Sequence, residues 1–162
     1  MLSFQNVFQR VSASVAAELT TLWKAEGALT DAAAIEKRLR EVVYVIIDQD
    51  TGRAAGVSTA VKKKVPALNG NFLYEFRCYI GEPFRIAGLD VKLSRLTFDF
   101  LAQLALADPE KPVGIFTVLA NDSLKQQPVW RRAVWPEIDM HFIGYNKTGD
   151  PIRVHYFTGA RI

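Results

Sequence analysis

PFRIAGLDVKLSR, Pro83 to Arg95, is the stretch whose reading decides the fold. Upstream lies FLYEFRCYI, Phe72 to Ile80, an apolar and aromatic run that reads as a strand. Downstream, Leu89, Leu93, Leu96, Phe100 and Leu104 recur at helical spacing, the mark of an amphipathic helix laid on a sheet. A strand that ends at a helix N-terminus leaves about four backbone N–H groups without helical partners, and the peptide dipoles make that end electropositive. An anion fits there. Gly88 has no Cβ to keep the main chain from a pyrophosphate, and Arg85 adds a cationic fork for phosphate oxygens. Asp90 in the first helical turn competes for the same dipole. The alternative is a plain helix start, with Lys92 and Arg95 solvated beyond it.

Working outward, Asn6 to Val11 reads as a first strand. Val15, Leu19, Leu22 and Trp23 form a helical stripe after Ser14 that Gly27 stops, and Thr30 or Asp31 caps a second helix with Ile35, Leu39 and Val42 on one face. Val43 to Ile47 and Ala54 to Val65 make a hairpin about Asp50-Thr51-Gly52. Beyond the central helix, Val113 to Leu119 is a strand, Asn121 to Arg132 an irregular or helical segment, and His141 to Tyr145 with Ile152 to Phe157 a last hairpin. The order β-α-α-β-β-β-α-β-α-β-β predicts an α+β protein.

With 162 residues, 49% hydrophobic and 23% charged, the chain has the composition of one globular domain, 1–162. A net charge of +3, with both signs interspersed, argues against nucleic acid as a partner. The single cysteine, Cys78, has no internal disulfide partner, MLSFQNVFQR lacks the pattern of a secretion signal, and no apolar run spans a bilayer; the expectation is a cytoplasmic protein with no membrane partner.

The element order and the turn Arg85-Ile86-Ala87-Gly88-Leu89-Asp90 resemble the GNAT family of acyl-CoA-dependent N-acyltransferases. That family's signature at this place is Arg or Gln, two variable residues, Gly, one variable residue, then Gly or Ala. Arg85 and Gly88 match, Asp90 departs, and Leu93 sits where the family usually carries a helix leucine packing under the loop. The resemblance covers most of the chain in element order. It implies a mixed, mostly antiparallel central sheet of about six to seven strands with helices on both faces. It also implies acetyl-CoA or another acyl-CoA as co-substrate, no metal, and transfer of the acyl group to a small amine or a peptide amine. The pyrophosphate would lie on Arg85 to Asp90, the pantetheine along Cys78, Tyr79 and Ile80, and Asn121 would touch the cofactor.

Acyl transfer needs a base for the attacking amine and an acid for the departing thiolate. The resemblance points to Glu75 as the base, with an ion pair to Arg77 or another surface charge as its alternative. No tyrosine follows Asn121 at the family's distance; Pro128 stands there, so the acid is Tyr145, Tyr79 or a water. The competing role for Asn121 is a helix cap. Lys62-Lys63-Lys64 either meets a nucleotide phosphate or protects a sheet edge. Trp130, Arg131, Arg132 and Trp135 read as core packing or an interaction patch. His141 and His155 fall on opposite faces of the last hairpin, which argues against a shared metal. Phe142, Tyr145, Phe157 and Trp23 point to an uncharged or aromatic acceptor, and exposed strands to a homodimer. A GNAT-fold binding or assembly protein without turnover is the second reading.

Overall fold

The computed structural model describes all 162 residues. Eight strands form one sheet in the order β1-β2-β3-β4-β5-β8-β7-β6: Leu2–Asn6 (β1), Val42–Asp48 (β2), Ala54–Val65 (β3), Asn71–Ile80 (β4), Gly114–Val118 (β5), Val134–Trp135 (β6), Met140–Tyr145 (β7) and Pro151–Tyr156 (β8). The helices are Ala13–Ala25 (α1), Ala32–Leu39 (α2), Leu89–Ala107 (α3) and Asp122–Lys125 (α4). The pairs β1–β2, β2–β3, β5–β8, β7–β8 and β6–β7 are antiparallel, and β4–β5 is parallel. The α+β class is as read, with eight strands in place of six to seven. The added strand, β6, is two residues long, too short for any periodicity to show. The first strand begins earlier than Asn6, because Asn6 ends it: its side chain accepts the Phe8 N–H at 3.1 Å and turns the chain. No helix is long and apolar enough to cross a membrane.

The chain divides into two compact units, Met1–Ala60 with Arg77–Thr97, and Val61–Phe76 with Phe98–Ile162. In the first, α1 and α2 bury Leu19, Leu22, Trp23 and Ile35 against Val42, Val45 and Val57. On the other face of the same strands, Leu89 and Leu93 of α3 pack on Ile46 and Ala55. Ser12 and Asp31 cap α1 and α2 by accepting the N–H groups of Val15 and Ala34, so the second cap is the aspartate and the first lies two residues before Ser14. A hydroxyl relay runs through this layer. Tyr44 N–H donates to Ser58 at 3.2 Å, Ser58 and Thr97 are joined at 2.7 Å, and Thr97 donates to the Leu93 carbonyl at 2.8 Å. The buried face of α3 therefore includes Ser94 and Thr97 as well as Leu89, Leu93, Phe98 and Leu101, with Phe100 and Leu104 half-buried.

In the second unit, Leu73, Val113 and Val154 form a core, and Phe76 meets Phe98 edge to face at 5.0 Å. Lys62 pairs with Asp108 at 2.8 Å and with Glu110, and Lys63 with Glu75. The sheet edges are β1 and β6, and the ladder of β3 with β2 ends at Val42↔Thr59, so Lys62, Lys63 and Lys64 lie on the part of β3 beyond β2. Gly114 opens β5 where the main chain of β8 runs against it: a Cβ there would meet the His155 carbonyl oxygen at 2.2 Å. Gly114→Ala is expected to lower stability by about 1–3 kcal/mol through overpacking against immovable backbone; urea unfolding should show the midpoint fall with an unchanged slope.

Candidate active site

The two-residue period of β4 divides its side chains. Phe76, Cys78 and Ile80 take the side of α3, where Ile80 and Cys78 pack against the Ile46, Leu89 and Leu93 cluster. Glu75, Arg77 and Tyr79 take the other, where their partners are Lys63, Glu41 and Glu26. The Cys78 thiol is pushed up to about 12 by burial and then by Asp90, which opposes its ionisation. It is a packing group and not a nucleophile.

After Ile80 the chain makes a 3-10 turn over Glu82–Phe84 and reaches α3 through the exposed residues Arg85 to Gly88. Gly88 has φ +83°, the left-handed region that a side chain would strain, and open space surrounds the position a Cβ would take. Leu89 N–H reaches back to Ile86 at 3.3 Å, and the first α-helical bond runs from Lys92 N–H to the Gly88 carbonyl at 2.9 Å. The amides of Ala87, Gly88, Asp90 and Val91 take no part in these bonds, and together with the helix dipole they form an electropositive end.

Glu26, which sequence reasoning missed, organises this turn. Its carboxylate accepts the Tyr79 hydroxyl at 2.6 Å, the Glu82 N–H at 2.8 Å and Arg85 Nη2 at 3.0 Å. Arg85 Nε donates to the Ile80 carbonyl at 3.0 Å, and the guanidinium lies 5.9 Å from the Tyr79 ring centre. Arg85 thus ties the end of β4 to the loop. Glu26 lies beside the helix-ending Gly27, and its partners are more than 50 residues away, so no local pattern marks it.

Within the first unit, β3, β4 and the α1–α2 connection line a half-open cavity of about 210 Å³. Trp23, Leu29 and Val57 supply apolar walls; Arg38, Arg77 and Thr59 supply polar ones. Glu41 sits with both guanidiniums, at 3.3 Å from Arg38 Nε and 3.5 Å from Arg77 Nη1. The Thr59 hydroxyl is buried without a hydrogen-bond partner.

The remaining sequence candidates belong to the second unit. The parallel ladder of β4 and β5 covers Leu73↔Gly114, Tyr74↔Ile115 and Glu75↔Phe116, and the next β4 carbonyl, that of Phe76, accepts from the Thr117 hydroxyl at 3.0 Å. Glu75 keeps its register on β5, and it pairs with Lys63, the other surface charge that the sequence reading allowed beside Arg77. Asn121 caps α4, accepting the Leu124 N–H at 3.1 Å. Tyr145 is 68% exposed and stacks edge to face on Phe142 at 5.1 Å. Arg153, which the sequence reading passed over, is 2% exposed; it donates to the Trp130 and Arg132 carbonyls at 2.8 and 2.6 Å and lies 4.0 Å from the centre of the buried Trp135 ring. Both histidines meet one residue: His141 Nε2 is 2.8 Å from Asp139 Oδ1, and His155 Nδ1 is 3.4 Å from Oδ2.

Burial first and the Glu26 hydrogen bond second push the Tyr79 hydroxyl up to about 12. The folded state then keeps a proton that the unfolded chain has lost, so this contribution is full below about pH 10 and disappears as pH rises through about 12. Glu26→Gln is expected to bring the Tyr79 titration down and to flatten that alkaline loss; tyrosinate absorbance against pH, with urea midpoints at matched pH, checks it.

No protein-family model matches the sequence, and no curated protein is similar to it. Solved structures do match. A mosquito arylalkylamine N-acetyltransferase like 5b aligns with a TM-score of 0.68 at 11% identity, over 96% of this chain and all of that one. An aminoglycoside 6'-N-acetyltransferase complexed with coenzyme A aligns at 0.64 and 12%, over 99% of each chain. A GNAT superfamily phosphinothricin acetyltransferase from Sinorhizobium meliloti, in complex with AcCoA, aligns at 0.64 and 14%, over 99% of this chain and 92% of that one. The fold of this chain is the GNAT acetyltransferase fold.

Proposed function

We propose that the protein binds an acyl-CoA at the N-terminus of α3 and transfers the acyl group to a primary amine. The observation that carries this is the exposed turn at Gly88, with φ +83°, space for a ligand against the main chain, and unused amides at the start of a 19-residue helix. Backbone N–H groups in that arrangement hold phosphate oxygens without any side chain, so the departure at Asp90 leaves them available. The coenzyme A and AcCoA bound by two of the structural neighbours support the same choice of ligand. Arg85, fixed to Glu26 and Ile80, serves as a brace that sets the turn.

In the reaction the amine nitrogen attacks the thioester carbonyl carbon, the carbon–sulfur bond breaks, the amine's proton passes to a base and the thiolate takes up a proton. The products are an amide and free coenzyme A. We assign the base to Glu75 and the acid to Tyr145, with Asn121 as a cofactor contact through the side-chain amide group that does not cap α4. A binding or assembly role without turnover is the second reading, favoured by the ion pair on Glu75 and the exposure of Tyr145.

Coenzyme A at about 100 times its Kd should stabilise the chain by about 2.7 kcal/mol in a thermal-shift series, and Gly88→Val should abolish that gain. Absence of the shift in the unmodified chain removes the proposal. Thiol release from acetyl-CoA across a panel of amines then separates turnover from binding. Tyr145→Phe is expected to lower kcat by about 10²-fold or more while leaving the coenzyme A shift unchanged. A shift with no thiol released from any amine selects the second reading.

A further inference from the structure

Resting on the acyl-transfer reading, we propose that the acceptor is a small amine bearing a carboxylate on an apolar body, bound in the cavity between β3, β4 and the α1–α2 connection. At about 210 Å³ the cavity is smaller than the roughly 300–1,000 Å³ of common ligand pockets, so it suits a molecule of side-chain size. Its walls sort a ligand by end. Trp23, Leu29 and Val57 receive hydrocarbon, while the charged groups that line it, Arg38 and Arg77, are both cationic. Glu41 contacts both guanidiniums and does not line the cavity.

Thr59 points to a ligand independently of charge. It is 3% exposed, it lines the cavity, and its hydroxyl has no hydrogen-bond partner. A buried hydroxyl left unpaired costs about 1–3 kcal/mol, and such groups in native proteins are nearly always satisfied. An anionic oxygen accepts that hydroxyl's proton and the planar donors of two guanidiniums together, which an ammonium group cannot do. The same cations repel a protonated amine, so they orient the ligand with its amino end away from Arg38 and Arg77 and favour the neutral, nucleophilic form nearby. Of the four residues behind the expectation of an uncharged or aromatic acceptor, Phe142, Tyr145, Phe157 and Trp23, only Trp23 lines this cavity.

The test uses the full chain without cofactor. Leucine, methionine and phenylalanine are titrated calorimetrically, each beside the amine that lacks only its carboxylate: 3-methylbutylamine, 3-(methylthio)propylamine and 2-phenylethylamine. The expected result is that one or more of the amino acids binds at least about tenfold more tightly than its partner amine, and that Arg77→Gln removes the difference. Thr59→Val, nearly isosteric, should weaken the same amino acid while sparing the amine, and serves if the arginine variant does not fold. The proposal is overturned if every amine binds as well as its amino acid, or if no member of the panel binds. A separate coenzyme A titration keeps the two readings apart: coenzyme A binding with no carboxylate preference ends only this proposal, and carboxylate preference with no coenzyme A binding ends acyl transfer and leaves the pocket.

Discussion

The strict two-residue alternation of β4 is the constraint on which the functional architecture rests. A strand sends successive side chains to opposite faces, and a slip of one residue would exchange them all. Here one set, with Cys78 and Ile80, seats the helix that opens at the Gly88 turn. The other, with Arg77 and Tyr79, lines the cavity, and Tyr79 also braces the loop through Glu26. The helix seat and the cavity thus draw on one strand, with Cys78 packed under the helix and also among the cavity's lining residues. Neither can shift register without destroying the other.

Glu26 shows how a charged group can be a structural part of such a site. A carboxylate accepting a hydroxyl, an amide and a guanidinium gathers three donors that would otherwise compete for a bound anion or leave the loop loose. Arg85 is tied in this way to Glu26 and to the Ile80 carbonyl, so it joins the end of β4 to the loop whatever else it meets.

What was legible in the sequence followed period and punctuation. The run Phe72 to Ile80, the leucines from Leu89 and the Gly88 turn declare a strand-loop-helix unit because each signal is local, and Gly88 does take the positive φ that its place in the motif requires. The face of α3 was legible only in part: Leu93 was read correctly, but Ser94 and Thr97 are buried because a hydroxyl relay to Ser58 satisfies them, and polar residues on an inner face break an apolar count. Strand β6 escaped for lack of length. Glu26 and the Arg77–Glu41 pair escaped because their contacts join distant segments, where no spacing rule applies.

The two units treat buried cations differently, and the difference bears on chemistry. Around the cavity, Arg38 and Arg77 share a carboxylate and remain part of a wall that a ligand can touch. Arg153 instead is sealed from water with two carbonyls on one nitrogen and an indole face beneath, while its Nε and Nη1 have no hydrogen-bond partner. Burial pulls its pKa down from the usual arginine value, yet a guanidinium stays charged at any ordinary pH. Removing a cation from water without a counter-charge is costly, and the indole quadrupole and carbonyl dipoles repay only part of it. What the residue supplies in return is position: by holding Trp130 and Arg132 through their carbonyls, it pins the segment between α4 and β6 onto β8. An apolar side chain at 153 could fill the space, but it could not grip two backbone carbonyls, so the path of that irregular segment depends on the charge and not on the volume.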